Sequence, residues 1–214
     1  MNSKILPFNW ALIKKDFKLT SWLCLAMTAI LFFNISLGVV LTYSDFQRFL
    51  EDVAQEPERY SNFDEKFFKE SAITALADIF AQPREGPELL VLFLGPMVLV
   101  ALLFAGEKQR KTMEVLFSMP LSRWEIFFNK LLVALANISL PFILNASIMI
   151  LALGFSPGLR DFYTLNQVFY WLWSDIFRAF AILAFSFIFG VLTGNSISHL
   201  VLTIIFLAFP YGFA

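Results

Sequence analysis

Long apolar runs alternate with polar stretches along this 214-residue chain, and the runs have the length of membrane spans. A helix needs about 20 apolar residues to cross the hydrocarbon core of a bilayer. We therefore predict spans over residues 21–42, 89–105, 126–153, 175–192 and 200–214. In the second span, Gly95-Pro96 predicts a kink or a local unwinding of the helix. The last run is short for a crossing, so we expect this fifth span to be incomplete in the sequence as given.

The composition agrees with a membrane protein. Hydrophobic residues make up 58% of the chain and charged residues 15%, whereas soluble domains carry about 25% charged residues. The predicted fold class is an all-α integral membrane protein, a polytopic helical bundle. Because the chain has one cysteine, Cys24, and one histidine, His199, we predict no disulfide within the chain, no His-based catalytic triad and no metal cluster. No catalytic site and no bound cofactor are predicted for this chain.

The placement of lysine and arginine predicts which side each loop faces. Residues 1–20 hold four lysines and one acid, and residues 106–130 hold five basic and three acidic residues. Residues 43–88 hold eleven acidic and five basic residues. Since basic residues favour the cytoplasmic side, we predict a multi-pass protein of the cell membrane with its N-terminus in the cytoplasm. No nucleic-acid partner is predicted.

The remaining predicted regions are an extracellular segment at 43–88, a cytoplasmic loop at 106–125, an extracellular loop at 154–174 and a cytoplasmic turn at 193–199.

The first 20 residues contain a predicted amphipathic helix. Trp10, Ile13 and Phe17 share one helical face, and lysines at positions 14, 15 and 18 lie on another. This pattern is typical of a helix in the membrane surface, with lysines toward lipid headgroups. The alternative is an ordinary positive flank that fixes orientation.

The acidic segment at 43–88 is predicted to hold two amphipathic helices joined by a turn at 55–62. Their apolar faces are expected to pack on each other, and the alternatives are packing on the membrane spans or on a partner. The residues that define these faces are Phe46, Phe49, Leu50 and Val53 in the first helix, and Phe67, Ile73, Leu76 and Phe80 in the second.

Residues 106–130, which we call the charged segment, cover the loop between the second and third predicted spans and the first residues of the third span. Ser122 and Glu125 form an S-x-x-E capping box, which predicts that the third span's helix begins there. A separate helix over 107–117 is expected to end before Pro120. Its apolar edge and mixed charges favour a helix that binds a protein groove. The alternative is a solvated or membrane-lying connector.

The run EKQRKTMEVLFSMPLSRWEI, residues 107–126, resembles the signature of ABC-2 type permease subunits of ABC transporters. In that family, a glutamate ends the second span. Basic residues, a Gly-Thr-x-Glu-x-Leu core and a Pro-hydrophobic-Ser/Thr-Arg turn follow it. The matching residues here are Glu107, Thr112, Glu114, Leu116, Pro120, Ser122 and Arg123. Lys111 replaces the usual glycine. The surface helix, cytoplasmic N-terminus and span order also match, and family members typically have six spans.

The resemblance implies a mechanism. A separate ATPase subunit would bind ATP and magnesium, two permease subunits would pair in the membrane, and the helix at 107–117 would seat in the ATPase as a coupling helix. Consistently, the sequence has no G-x-x-x-x-G-K-[ST] phosphate loop. The predicted coupling residues are Glu107, Arg110, Lys111, Thr112, Met113, Glu114, Leu116, Phe117, Pro120 and Arg123. For the basic residues, topology determination and lipid contact are an alternative.

Polar residues within the predicted spans have two interpretations. Asp175 and Arg178 are expected to pair along one face near the outer end of the fourth span, preceded by Trp171 and Trp173 in the interfacial belt. Asn137, Ser139, Asn145 and Ser147 in the third span, and Asn34 and Ser36 in the first, are expected to bond across helices or to freed carbonyls. A polar substrate path is the alternative.

Three functions are compared. The first is an ATP-driven exporter subunit for a lipophilic compound, peptide or antibiotic. The second is an intramembrane enzyme such as a metalloprotease, which one histidine does not support. The third is a non-transporting sensor or immunity subunit that binds an extracellular peptide.

Overall fold

A computed structural model describes residues 9–56, 59, 65–81, 87–105, 107, 122–193 and 195–208. Within these residues all regular structure is helical. The α-helices are α1 Trp10–Leu31, α2 Leu37–Gln55, α3 Glu65–Ala81, α4 Pro87–Leu89, α5 Gly95–Val100, α6 Arg123–Phe155, α7 Leu165–Leu192 and α8 Ser196–Ala208. Three π-helical segments, Phe32–Ser36, Leu90–Leu94 and Ala101–Ala105, and one 3-10 helix, Pro157–Asp161, complete the described elements.

Four helices in the described ranges are long and apolar enough to cross a membrane. They are Trp10–Gln55, Pro87–Phe104, Arg123–Phe155 and Leu165–Leu192. A shorter apolar helix, α8, follows them. This arrangement confirms the predicted polytopic helical bundle.

The predicted surface helix and first span form one continuous helix. Asn9 caps its start, because its side chain accepts hydrogen bonds from the backbone N–H groups of Ala11 and Leu12. The helix then runs over 46 residues to Gln55, since no proline lies between residues 8 and 56 to break it. At 1.5 Å per residue it is roughly 70 Å long, so it extends well beyond a bilayer of about 30 Å of hydrocarbon.

Capping boxes start the two longest uninterrupted helices. Ser122 Oγ accepts a hydrogen bond from the Glu125 N–H at 3.1 Å, and Glu125 accepts one from the Ser122 N–H at 2.6 Å, as predicted. Thr164 and Gln167 form the second box. This T-x-x-Q signal starts α7 at Leu165, ten residues before the predicted start of the fourth span. The helix therefore includes part of the stretch 154–174, which we had assigned to an extracellular loop.

The earlier start of α7 changes the interpretation of its aromatic and charged residues. Trp171 is only 1% exposed and packs inside the bundle, so only Trp173, at 55% exposure, fits the predicted interfacial belt. Asp175 is buried well inside the helix instead of lying at its end. Its predicted partnership is confirmed, since Arg178 Nη1 donates to Asp175 Oδ1 at 3.3 Å.

The amphipathic helices of the acidic segment pack on each other and on the bundle. The ring of Phe49 stacks on that of Phe68 with centroids 4.3 Å apart. Phe46 contacts Phe162 edge to face, and Phe80 lies against Tyr163. The contact between Phe49 and Phe68 confirms that the two helices pack on each other, but Phe67, which we placed on the apolar face, is 67% exposed. The other two contacts attach the segment to the residues just before α7.

A polar bridge joins the first and third membrane helices. Ser36 Oγ donates to Asn145 Oδ1 at 2.8 Å, and Asn145 Nδ2 donates to the Thr28 carbonyl at 3.3 Å. The same amide group donates to the carbonyl of Pro141. One of the predicted cross-helix bonds is thus present, whereas Asn137 donates to Val133 within its own helix.

The second membrane helix changes its winding around Gly95 and Pro96. A π-helical segment precedes them and another follows α5, which is the form that the predicted local unwinding takes. α8 packs against this helix, and His199 Nε2 lies 3.2 Å from the Met97 carbonyl. His199 is therefore a buried helical residue and not part of the turn that we predicted at 193–199.

Candidate functional site

The site is built where α1 begins, the second membrane helix ends and α6 begins. We call this the amino-terminal end of the bundle. Of the predicted coupling residues, Glu107 and Arg123 are described. The others lie outside the described residues: Arg110, Lys111, Thr112, Met113, Glu114, Leu116, Phe117 and Pro120.

Four charged side chains of the described residues meet at this end, and we call them the inner charge cluster: Lys15, Asp16, Glu107 and Lys130. Lys130 lies at its centre, with a fully buried side chain. Its ammonium group lies 2.7 Å from Glu107 Oε2 and 3.3 Å from Asp16 Oδ2, and it donates to the Leu103 carbonyl at 2.7 Å. The contacts with Asp16 and Leu103 are hydrogen bonds, and the contact with Glu107 is an ion pair.

Lys15 lies at the solvent-facing side of the cluster. Its Nζ lies 2.6 Å from Glu107 Oε1 and 3.6 Å from Asp16 Oδ1. Its side chain is half exposed, whereas that of Asp16 is fully buried and that of Glu107 nearly so. Two cations thus balance two anions, and Lys15 alone of the four keeps substantial contact with solvent.

The local sequence explains how the side chains reach one another. Leu12, Asp16 and Thr20 recur at four-residue spacing, which places them on the buried face of α1. Lys130 lies two turns after the Ser122 cap, on the face of α6 that packs against α1. A further bond, from the Asn9 N–H to Asn129 Oδ1 at 3.0 Å, fixes the start of α1 to α6.

Burial makes the cluster sensitive to the loss of any member. Removing charges from water costs several kcal/mol per ion, and close opposite charges with good hydrogen bonds offset this cost. Such a cluster therefore adds little net stability over apolar packing. Removing one partner is costly, because it leaves a buried charge without compensation.

The two ends of the charged segment are held differently. Its second residue, Glu107, belongs to the inner charge cluster, and its later part enters α6 through the Ser122 capping box. Arg123 and Trp124 are exposed beside this cap. Glu107, which we predicted to contact a partner, thus has its carboxylate engaged within the chain.

Sequence reasoning missed Lys15, Asp16 and Lys130 as site residues. Lys130 carried a usable signal, because a lysine inside the apolar run IFFNKLLVALA is costly at membrane depth and requires a partner. Asp16 carried a weaker one, as the single acid among the lysines near the N-terminus. Among the described residues, no group of three His, Cys, Asp or Glu side chains could hold a metal ion.

The helical bundle and its buried charges define a polytopic membrane protein with a charged connection between its second and third crossings. The family model of the ABC-2 family transporter proteins matches residues 10–213. The chain therefore belongs to this family and is a membrane permease component of an ABC transporter. Membership implies that it works with an ATP-binding cassette ATPase. No curated protein and no solved structure matches the chain.

Proposed function

We propose that this chain is the membrane-spanning subunit of an ATP-driven exporter of a lipophilic compound, peptide or antibiotic. A separate ATPase subunit binds ATP and magnesium, and a second permease subunit, identical or homologous, completes the pathway in the cell membrane. The N-terminus and the charged segment face the cytoplasm. This orientation follows from the excess of lysine and arginine at this end and of acids in residues 43–88.

The observation that carries the proposal is the inner charge cluster. It ties Glu107, where the charged segment begins, to α1 through Lys15 and to α6 through Lys130, and Lys130 in turn pairs with Asp16 of α1. A force applied to the charged segment therefore acts on three membrane helices at once. A loop with no mechanical role would not require two buried anions and a buried cation at its base.

Contact with the ATPase is assigned to the part of the charged segment beyond Glu107. Met113, Leu116 and Phe117 provide apolar anchors, and Arg110, Lys111 and Glu114 provide charges that set the register of binding. Arg123 follows them beside the Ser122 cap. Glu107 has a different role in this proposal, because it joins the coupling helix to the bundle.

The proposal of a lipophilic cargo is supported by a groove at the opposite end of the bundle. This open groove of about 780 Å³ lies along the first half of α7 and beside Phe80. Among the described residues, its lining contains no charged side chain and consists of Phe80, Asn166, Gln167, Phe169, Tyr170, Trp173, Ser174 and Phe177. Amides lie at one end and aromatic rings along the rest, which suits an amphiphilic molecule.

The function is tested by reconstituting the chain with its ATPase in lipid vesicles. We expect the two subunits to be isolated together and ATP hydrolysis to rise when a lipophilic cargo is added. Accumulation of that cargo inside inverted vesicles should require ATP. If peptide binding occurs without ATP-dependent accumulation, the sensor or immunity function replaces this one. If no ATPase associates with the chain, the proposal is wrong.

A further inference from the structure

The inner end of the second membrane helix is wound as a π-helix immediately before the charged segment. This π-helical segment covers Ala101–Ala105, and Glu107 follows within two residues. A single π turn holds one residue more than an α-helical turn and is often found at functional sites. The winding of this turn therefore determines the direction in which the following residues leave the helix.

A side chain from another helix holds the π turn. Lys130 Nζ donates to the carbonyl of Leu103, in the middle of the turn, at 2.7 Å. A backbone carbonyl oxygen carries partial negative charge, and a hydrogen bond that it accepts from an ionised group is stronger than one from a neutral donor. Lys130 also lies over the ring of Phe104, 5.4 Å from its centroid.

The same ammonium group holds the residue that follows the turn. Lys130 Nζ lies 2.7 Å from Glu107 Oε2. One buried cation thus fixes both the Leu103 carbonyl and the Glu107 side chain. The π turn and the start of the charged segment are held in a fixed relation to α6.

Rewinding the turn would change the direction of the charged segment. If the π turn became α-helical with all its residues kept, the chain beyond it would rotate by roughly 100° and shift by about 1.5 Å. Glu107 would then leave the position in which it meets Lys130 and Lys15. The hydrogen bond to Leu103 and the ion pair with Glu107 both oppose this change.

We infer that Lys130 is a positioning residue: it holds the second membrane helix in its π-helical register and thereby sets the orientation of the charged segment. Its functional meaning rests on the proposed coupling to an ATPase. The register itself is a property of this chain and is measured without the ATPase.

The test compares two variants that separate stability from register. Asp16→Leu removes a buried partner but leaves Lys130 on Leu103 and Glu107. Asp16→Leu with Lys130→Leu replaces the buried pair by apolar residues and also removes the contact with Leu103. Spin labels are attached at Lys108→Cys and at Ile197→Cys, an exposed position of α8, in a Cys24→Ala background. The distance between the two labels, measured by pulsed electron paramagnetic resonance, reports the orientation of the charged segment.

We expect Asp16→Leu to lower stability and keep the unmodified chain's label distance. The double variant should be the more stable of the two and should show a distance changed by several ångström. If the double variant folds with an unchanged distance, or if Asp16→Leu alone shifts it, the positioning role is overturned. If Lys130 acted only on stability, the label distance would change most in the less stable variant, Asp16→Leu, and least in the double variant.

A rescue variant gives an independent check. Deleting Leu102 from the double variant removes the extra residue of the π turn, so an α-helical turn then delivers Glu107 in its original direction. We expect the original label distance to return. A distance that stays shifted would contradict the inference. If the unmodified chain does not bind an ATPase, that result contradicts only the proposed function and leaves this inference standing.

Discussion

Glu114→Arg combined with Leu116→Asp is expected to remove the ATPase from the isolated complex while the permease still folds. The change places a charge where an apolar anchor is proposed and reverses a charge that sets the register. Loss of a central interface anchor costs about 2–4 kcal/mol, which weakens binding roughly 30- to 1,000-fold. The measurement is the amount of ATPase retained on the affinity-purified chain, together with the dissociation constant in detergent.

The matched control makes the same kinds of change on the acidic segment. Phe67→Asp with Glu70→Arg alters two exposed positions of α3, which we assign to the opposite side of the membrane. This variant should retain the ATPase. If both variants retain it equally, residues 107–117 are not the coupling helix.

Asp16→Leu is expected to cause the largest loss of stability of any single change described for this chain. Asp16 is fully buried, and its loss leaves Lys130 with one fewer anion in a cluster of balanced charge. Breaking a buried ion pair from one side costs about 3–5 kcal/mol. The free energy of unfolding, followed by fluorescence during titration with sodium dodecyl sulfate in mixed micelles, measures this effect.

Two comparisons test the cause. Asp45→Leu removes an exposed acid from the same continuous helix and should change the free energy of unfolding by less than about 0.5 kcal/mol. Adding Lys130→Leu to Asp16→Leu should recover part of the loss, because apolar residues replace both buried charges and the Lys15–Glu107 pair remains. An additive loss in the double variant would contradict the proposed pairing.

Periodicity and length were sufficient to predict the membrane helices, because a bilayer requires long apolar runs and internally bonded helices. The Ser122 capping box was also readable, since it depends on two residues three positions apart. The start of α7 was missed because Trp171 and Trp173 suggested an interface. Thr164 and Gln167 carried the same kind of capping signal, and the correct start could have been predicted from it.

The inner charge cluster could not be read from the sequence, because its members lie far apart in the chain. Asp16 and Lys130 are separated by 114 positions. Asp16 lies among lysines that suggested exposure, and the apolar run around Lys130 indicates that this lysine needs a partner but not which residue it is. Helical spacing places Asp16 beside Leu12 and Thr20, but it does not show which face of α1 is covered. Only the packing of α1 on α6 establishes that the acid faces inward.

The π-helical winding of Ala101–Ala105 was also beyond sequence reasoning. Gly95 and Pro96 predicted an irregularity in this helix, but its position depends on contacts made by other helices. The Leu103 carbonyl accepts its hydrogen bond from Lys130, 27 positions later. Such a contact leaves no local pattern in the run ALLFA.

The sidedness of Thr112 tests the central claim most directly, because the claim requires the charged segment to face the cytoplasmic ATPase. Thr112→Cys in a Cys24→Ala background is treated with a membrane-impermeant maleimide on intact cells, with exposed Ser71→Cys as the reference. We predict that the reagent labels the Ser71→Cys chain from outside and labels the Thr112→Cys chain only after the membrane is opened. Labelling of the Thr112→Cys chain in intact cells would contradict the claim.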